Sequence, residues 1–378
     1  MKKVLHISNY YYPHIGGIEQ TAFDIVCALK GKYNQKVICF NHEKKTIKDI
    51  VDGIEITRVN CQMKISSQSI ALDYGRQLNC ILKQFNPDIV IFHYPNPFVG
   101  FFLEKKLKRK KFKFILYWHL DIIKQKLLKK FFNGQNKHLL KYSDKVITTS
   151  QNYLDGSPWL TKFKNKCNII PSCINTNRLT LNDNTKVISQ KIKENFLGKK
   201  IVFAFGRHVE YKGLKYLIEA SSELDDSYAI IIGGQGPLTN DLKLIAKNDH
   251  KIIFIGKISD DELKAYLLCA DVFAFPSITK NEAFGLGLAE ALYFGVPAVT
   301  FTIYGSGVNF VNLDGVTGLE VPNRDYKSFA SAIKKICDNE ELKNKLSLQA
   351  KQRTCDLFMP QNFSDKINSV IDALCEDD

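Results

Sequence analysis

Two carboxylates, Glu282 and Glu290, stand eight residues apart in the run Glu282-Ala-Phe-Gly-Leu-Gly-Leu-Ala-Glu290. The run follows residues 272–277, a short apolar strand pattern closed by Pro276, and leads into an alanine- and leucine-rich helical pattern that stops at Gly295 and Pro297. Glu282 therefore belongs to a loop and Glu290 to a helix. Helical rise across the eight residues separates them by about 12 Å along the axis, within roughly a quarter turn of each other. That is too far for a shared proton. It suits two ends of one extended polyhydroxy ligand, each carboxylate accepting hydrogen bonds from hydroxyls. An isolated pair at this spacing is ordinarily a loop residue and a solvated helix residue. Here Phe284, Leu286, Leu288, Ala289, Ala291, Leu292 and Phe294 leave little polar face. Glu290 is expected to be enclosed and to need partners, while Gly285 and Gly287 let a ligand approach the backbone.

Candidate cations lie upstream. Arg207 and Lys212 bracket the loop that follows the strand pattern 201–205. A guanidinium can hold two phosphate oxygens as a fork, and an ammonium adds a mobile point charge. Together they can neutralise a departing diphosphate, although surface charge is the plainer reading. Gly16 and Gly17 open a helical pattern after the first strand, where free amides and the helix dipole favour a phosphate. Glycine before a helix is often only a turn. His119 and Asp121 close another strand pattern. The run Gly233-Gly-Gln-Gly236-Pro237 imitates a dinucleotide fingerprint, but Thr239 and Pro237 break it, so a nicotinamide site is discounted. No P-loop motif occurs. No Asp-x-Asp stands at a strand end to chelate a metal, and no Cys/His cluster suggests zinc.

These residues must be held by strands alternating with helices. Strand patterns fall at 4–8, 37–40, 89–93, 114–119, 146–150 and 168–171, then at 201–205, 229–232, 252–255, 272–275 and 298–300. Helical patterns include 18–29, 214–224, 260–269 and 363–374. Continuous apolar strands with helices between them imply parallel sheets covered on both faces. The fold class is α/β, with two doubly wound Rossmann-like domains facing each other across a cleft and ligands held at the carboxyl ends of the strands. The expected boundaries are 1–175 for an acceptor domain, 176–200 for a polar linker, 201–358 for a donor domain, and 359–378 for a last helix returning to the first domain.

The chain has 378 residues, 45% hydrophobic and 24% charged, the balance of a globular enzyme. Its ten cysteines are scattered, as expected for thiols in a reducing compartment. The start, reaching His6, is too short and polar for a signal peptide, and no apolar run approaches the ~18 residues a membrane span needs. A cytoplasmic protein is expected, with peripheral attachment to the inner membrane in view. The formal net charge is +14. Between Lys105 and Lys145 lie fourteen lysines and arginines against Asp121 and Asp144, interleaved with Phe101, Phe102, Leu103, Leu107, Phe112, Leu127, Leu128, Phe131 and Phe132. A basic face with apolar teeth suits an anionic membrane. A solvated helix face or general lysine enrichment reads the same way. No nucleic-acid module accompanies the run.

Taken in order, these features resemble the family-4 retaining glycosyltransferases of the GT-B fold, across nearly the whole chain. The carriers are His14-Ile-Gly16-Gly17-Ile-Glu19, His119-Leu-Asp121, Gly206-Arg207 with Tyr211-Lys212-Gly213, Gly233 to Leu238, Asp271 to Ser277, Glu282 to Glu290, and Asp314-Gly315-Val-Thr-Gly318. The resemblance implies a nucleotide diphosphate sugar as donor substrate and no metal or other cofactor. It implies that Gly16 and Gly17 approach the diphosphate, that Arg207 and Lys212 bind its phosphates, and that Glu282 contacts the transferred sugar. Glu290 would take the ribose, His119 would lie beside the sugar, and backbone groups at Phe284, Gly285 and Leu286 would meet the donor. Catalytic roles fall to His119, Arg207, Lys212 and Glu282. One departure is Pro171-Ser172-Cys173-Ile174-Asn175, where the family commonly has Pro-Asn-Gly-Ile-Asp; this puts that loop's geometry in question. The start and Ser306-Gly307-Val308-Asn309 resemble bacterial transferases of surface polysaccharide and lipopolysaccharide synthesis, several using mannose. The expected reaction moves a hexose, mannose first, to a saccharide acceptor, lipid-linked given the basic face. A sugar-nucleotide epimerase of the same fold and a non-catalytic partner subunit are the alternatives.

Overall fold

The computed structural model describes residues 1–14, 16–65, 68–122 and 129–376, without the side chains of 64, 65, 68 and 129–131. The chain divides into two compact units. The first comprises residues 1–150, 154–172 and 361–378, and the second 151–153 and 173–360.

The first unit contains β1 (Lys3–Ile7), β2 (Asn34–Phe40), β3 (Ile47–Val51), β4 (Ile54–Val59), β5 (Met63–Ile65), β6 (Gln68–Ile70), β7 (Ile89–Tyr94), β8 (Lys113–Trp118), β9 (Lys145–Thr148) and β10 (Cys167–Ile169). Eight of them form one sheet in the order β10-β9-β8-β7-β1-β2-β4-β3, and β5 pairs with β6 separately. All neighbours in the large sheet are parallel except β3, which runs antiparallel to β4. The central strands are largely apolar because both faces are covered, with His6 in β1 and His93 in β7 as buried exceptions; all six residues of β7 are buried. The edge strand β3 buries none of its five residues fully. Its sequence Ile-Lys-Asp-Ile-Val carries no continuous apolar signal, nor does Ile-Glu-Ile-Thr-Arg-Val of β4, and β5 and β6 are three residues each, so the expected strand set lacks β3 to β6.

The last helix, Pro360–Glu376, buries Phe363, Ile367, Ile371 and Leu374 at spacings of four, four and three. From Gln361 onward it belongs to the first unit. Its Asn368 amide donates to the Ala28 carbonyl at 3.1 Å, Lys32 donates to Asn368 Oδ1 at 3.1 Å, and the Tyr33 hydroxyl donates to Asp372 at 2.7 Å.

The basic stretch corrects one expectation. Helix Pro97–Leu107 turns Leu103 and Leu107 into the core, where both are almost wholly buried. Phe101 is exposed, with the Lys105 ammonium 4.4 Å from its ring centroid. Lys110 is tied to Asp144. The apolar teeth at 103 and 107 are therefore core residues, while Lys105, Lys108, Arg109 and Lys111 stay exposed. Lys124, Lys126, Leu127 and Leu128 lie outside the described residues, as do the side chains of Lys129, Lys130 and Phe131.

The second unit contains β11 (Lys200–Phe205), β12 (Tyr228–Gly233), β13 (Ile252–Gly256), β14 (Val272–Phe275), β15 (Ala298–Phe301) and β16 (Gly318–Val321). The order is β13-β12-β11-β14-β15-β16, parallel throughout. Chain order reverses between β11 and β14, which is the switch point where such sheets take their ligands.

Residues 176–200, expected as a linker, are instead largely helical and part of this unit. Helices Thr176–Leu179 and Asp183–Asn195 are capped by the side chains of Asn175 and Asn182. Leu179 and Ile192 are buried in the unit's core. Asn182 and Asn184 donate to Asp261 at 2.9 and 2.7 Å, and Lys264 donates to the Thr180 carbonyl at 2.8 Å. The polarity that suggested a linker supplies caps and bonds to helix Asp260–Cys269.

One glycine is indispensable to the switch point. Gly234, after β12, has φ +105°, and a Cβ there would sit 2.0 Å from the Gly206 carbonyl oxygen at the end of β11. Gly234→Ala is expected to destabilise the second unit by about 2 kcal/mol or more. Calorimetry should show its melting transition lowered by roughly 5 °C.

Candidate functional site

β11 runs out into Gly206 and the exposed Arg207; β14 runs out into Pro276 and Ser277. The two strands are neighbours, with Val202 opposite Val272 and Phe203 opposite Phe273. Their ends line a small cleft with Gly206, Arg207, Lys212, Phe275 and Ser277 on its wall. A short 3₁₀ turn, Glu210–Lys212, brings Lys212 back over the strand ends. Its ammonium lies 2.5 Å from Glu282 Oε2, and the two side chains are 17% and 12% exposed. The Ser277 hydroxyl donates to the same oxygen at 3.2 Å, and the Phe275 ring centroid lies 4.7 Å from the ammonium. The pair is half enclosed by an aromatic face and strand-end backbone.

The axial separation of about 12 Å between Glu282 and Glu290 does not apply. The helix begins only at Leu286, after Gly285 at φ +94°, so half of the interval is turn. Residues that the sequence marked only by a sub-family resemblance hold this turn. The Ser306 hydroxyl donates to the Glu282 carbonyl at 2.5 Å, and the Gly307 amide donates to the Ala283 carbonyl at 3.1 Å. A Cβ on Gly307 would meet that carbonyl oxygen at 2.2 Å. The Ser306 to Asn309 motif is a brace for the Glu282 loop, a role no spacing rule announces.

Glu290 is enclosed, at 6% exposure. Its partner is Arg178, whose Nη2 donates to Oε1; Arg178 Nη1 donates to Asp260 at 2.9 Å. Burial pushes the Glu290 carboxyl above its ordinary range, against the opposing charge of Arg178. Arg178 lay in the supposed linker and drew no attention. The signal was the enclosed carboxylate itself, which demanded a cation somewhere. Asn175 stands where the family commonly has Asp, and its side chain still accepts the Arg178 backbone amide at 3.1 Å.

Phe284 turns its ring into the core, edge-on to Phe358 at 5.4 Å between centroids. Only the backbone there can meet a ligand. The first-turn amides of helix Leu286–Tyr293, beginning with Leu286 and Gly287, have no acceptor within the helix.

In the first unit, Gly16 caps helix Gly17–Ala28 in extended backbone, and a Cβ on Gly17 would meet nothing within 4 Å. The Glu19 carboxylate accepts from the backbone amides of Glu19 and Tyr10. A side-chain anion therefore already uses this helix start. His119, just past β8, is buried and hydrogen-bonded through Nε2 to His93 Nδ1 at 3.1 Å. The rings of His6, His93, Tyr117 and His119 stack in series on the sheet. Burial pushes His119 down to about 3 and His6 down to about 4, and His93 also falls well below the usual imidazole range. Burial thus disfavours the charged form of His119, whose Nε2 is paired with His93.

Comparison with known proteins joins these observations. Residues 15–178 match the family model described as Glycosyltransferase Family 4, and residues 186–353 match Glycosyl transferases group 1. The O-antigen chain mannosyltransferase C of Escherichia coli is 27% identical over 380 residues, covering 99% of each chain. The D-rhamnosyltransferase WbpZ of Pseudomonas aeruginosa is 27% identical over 365 residues, covering 94% of this chain and 92% of its own. The structure of HepE from Anabaena in complex with UDP and glucose superposes with a TM-score of 0.78 at 14% identity, over 98% of this chain and all of HepE.

The buried histidines make the first unit acid-sensitive. Unfolded histidines take up protons near pH 6.5, whereas the folded ones resist until about pH 4 for His6 and about pH 3 for His119. The unfolded state binds more protons in that window, so stability falls as pH drops, by about 1.4 kcal/mol per pH unit for each histidine. His6→Gln removes one such group. Denaturation at a series of pH values should show the variant losing less stability than the wild type from about pH 6.5 to 4.5; parallel curves would contradict the assignment.

Proposed function

The chain belongs to the family-4 glycosyltransferases of the GT-B fold, and from that premise we propose that it transfers a hexose from a nucleotide diphosphate sugar to a saccharide acceptor in bacterial surface polysaccharide synthesis. The hexose we infer has the manno configuration. Two relatives aligned over almost their whole length transfer mannose and D-rhamnose by name, and D-rhamnose is 6-deoxy-D-mannose. A HepE structure containing UDP and glucose supports the nucleotide-sugar donor by its likeness in fold.

The observation that carries the reading is the Lys212–Glu282 pair at the switch point, beside Arg207. The cation and the carboxylate satisfy each other. A donor supplies each with a new partner, phosphate for Lys212 and sugar hydroxyls for Glu282. Arg207 adds a second cation, and the two meet the charge that builds on the departing diphosphate. Glu290 would accept hydrogen bonds from the ribose hydroxyls. His119, neutral, would donate or accept a hydrogen bond at the sugar.

The transfer retains configuration. The acceptor oxygen bonds to the anomeric carbon on the face from which the diphosphate leaves. The bond from that carbon to the phosphate oxygen breaks, and its electron pair departs with the diphosphate. The acceptor's hydroxyl proton passes to the departing phosphate oxygen. Glu282 is assigned sugar binding and not nucleophilic attack. Among the described residues no group of three or more His, Cys, Asp or Glu side chains is placed to hold a metal ion. We assign the diphosphate's charge to Arg207 and Lys212, so chelator should leave turnover unchanged.

A thermal-shift screen across UDP-, GDP-, ADP- and dTDP-sugars identifies the donor. With that donor, Arg207→Ala and Lys212→Ala are each expected to lower turnover by about 10²–10³ while the fold persists. Near-normal turnover in both variants would overturn the phosphate assignment, as would loss of activity in EDTA restored by magnesium.

We further propose that the acceptor is lipid-linked and that Lys105, Lys108, Arg109 and Lys111 rest on an anionic membrane face. Among the described residues no helix is long and apolar enough to cross a membrane. With Leu103 and Leu107 turned inward, attraction is chiefly electrostatic, about 1 kcal/mol for each cation held near the surface. Sedimentation with anionic vesicles should weaken as salt rises, since screening lengths shorten below about 8 Å above physiological ionic strength. Replacing the four residues by Ser should release the protein, whereas equal partitioning to neutral vesicles would contradict the proposal.

A further inference from the structure

Glu290 poses a problem that its proposed role alone does not solve. A carboxylate 6% exposed in the middle of an apolar helix is costly to keep charged, and a neutral carboxyl accepts hydrogen bonds poorly. Something must hold it as an anion. Arg178 stands there. One guanidinium nitrogen donates to Glu290 Oε1, and another donates to Asp260 Oδ1 at 2.9 Å, so the fork is anchored from both sides. The Arg178 side chain is 28% exposed, against 7% for that of Glu290. The cation is thus the more exposed of the two and the carboxylate the more enclosed.

The anchor is itself well supported. Arg178 belongs to helix Thr176–Leu179, capped by Asn175, with Leu179 buried beneath. Asp260 opens helix Asp260–Cys269, whose capping box is complete between Ser259 and Glu262. The charged groups acting on Glu290 are Arg178 and, more weakly, Asp260. Helix Glu340–Leu357 packs on another side of helix Leu286–Tyr293; its Lys343 pairs with Asp271 and Glu340, and its Arg353 donates to the Phe310 carbonyl. β14 and β15 contribute no charged residue to this packing.

We propose that Arg178 is the positioning residue for nucleotide recognition, holding the Glu290 carboxylate charged and oriented so that its second oxygen accepts from the ribose hydroxyls. This rests on the reading of Glu290 as the ribose contact. Arg178 occupies Oε1, which leaves Oε2 and the remaining lone pairs for a diol. Burial already pulls Glu290 toward its neutral form. Without the guanidinium that tendency is unopposed, and protons compete with the nucleotide for the carboxylate. A brace with no part in recognition would affect melting and leave the pH dependence of nucleotide affinity alone.

The test is isothermal titration of the full chain with UDP, GDP, ADP and dTDP at about pH 6 and about pH 8. The variants are Arg178→Met, Arg178→Lys, Glu290→Gln and the double variant Arg178→Met/Glu290→Gln. For the nucleotide that the wild type binds, Arg178→Met should weaken affinity about tenfold at the higher pH, with up to about a further tenfold loss at the lower, since one unit of carboxyl shift is a factor of ten. Arg178→Lys should restore most of the affinity and flatten the pH dependence. Glu290→Gln and the double variant should bind equally weakly at both pH values. Wild-type affinity and wild-type pH dependence in Arg178→Met would overturn the inference alone. Failure of the wild type to bind any of the four would overturn the donor-site reading and the inference with it.

Discussion

The ion pair between Lys212 and Glu282 is the interaction on which the candidate site depends. It joins two loops that leave adjacent parallel strands at the point where the sheet's order reverses. Neither partner is well solvated, so each needs the other. Removing one would strand a largely buried charge, which typically costs about 3–5 kcal/mol in a fully buried pair and less in a half-enclosed one. The same constraint makes the pair responsive. A ligand that brings phosphate to the lysine and hydroxyls to the carboxylate exchanges one set of charge-assisted bonds for another, with little side-chain ordering left to do.

The surrounding structure serves that pair. Close approach at Gly234 lets the loops after β11 and β12 meet, which sets where Arg207 emerges. Ser306 and Gly307 grip the turn that presents Glu282. Arg178 and Asp260 form a second charged arrangement around Glu290. Two carboxylates are thus each held by a cation, one beside the strand ends and one inside the following helix. The first unit, taken by itself, holds a stack of buried imidazoles ending at His119, where burial disfavours the charged form.

Much of this was legible in the chain, and the failures have physical causes. Apolar parallel strands announce themselves because both faces are covered, so β1, β7 to β10 and β11 to β15 could be placed within a residue or two, and β2 within three, its first residues Asn34, Gln35 and Lys36 being polar. The edge strand β3 mixes lysine and aspartate with isoleucine, the hairpin β5–β6 is three residues a side, and β16 is a short closing strand; none carries a sustained pattern. Glu282, Glu290, Arg207 and Lys212 stood out because their types and spacing match a motif. Arg178 did not, because its meaning arises from a contact across 112 residues. Residues 176–200 looked like a linker because asparagine and threonine caps read as loop polarity until the partner helix is known. Leu103 and Leu107 looked like membrane teeth because sequence gives the presence of apolar residues but not the direction they face.

The most direct test of the central claim is a crystal structure of the second unit's site with the preferred nucleoside diphosphate bound in the full chain. The diphosphate is expected within about 3 Å of the Lys212 ammonium and of the Arg207 guanidinium, the distance of a charge-assisted hydrogen bond. Glu282 should have parted from Lys212. A diphosphate bound elsewhere, with the Lys212–Glu282 pair still closed, would contradict the account.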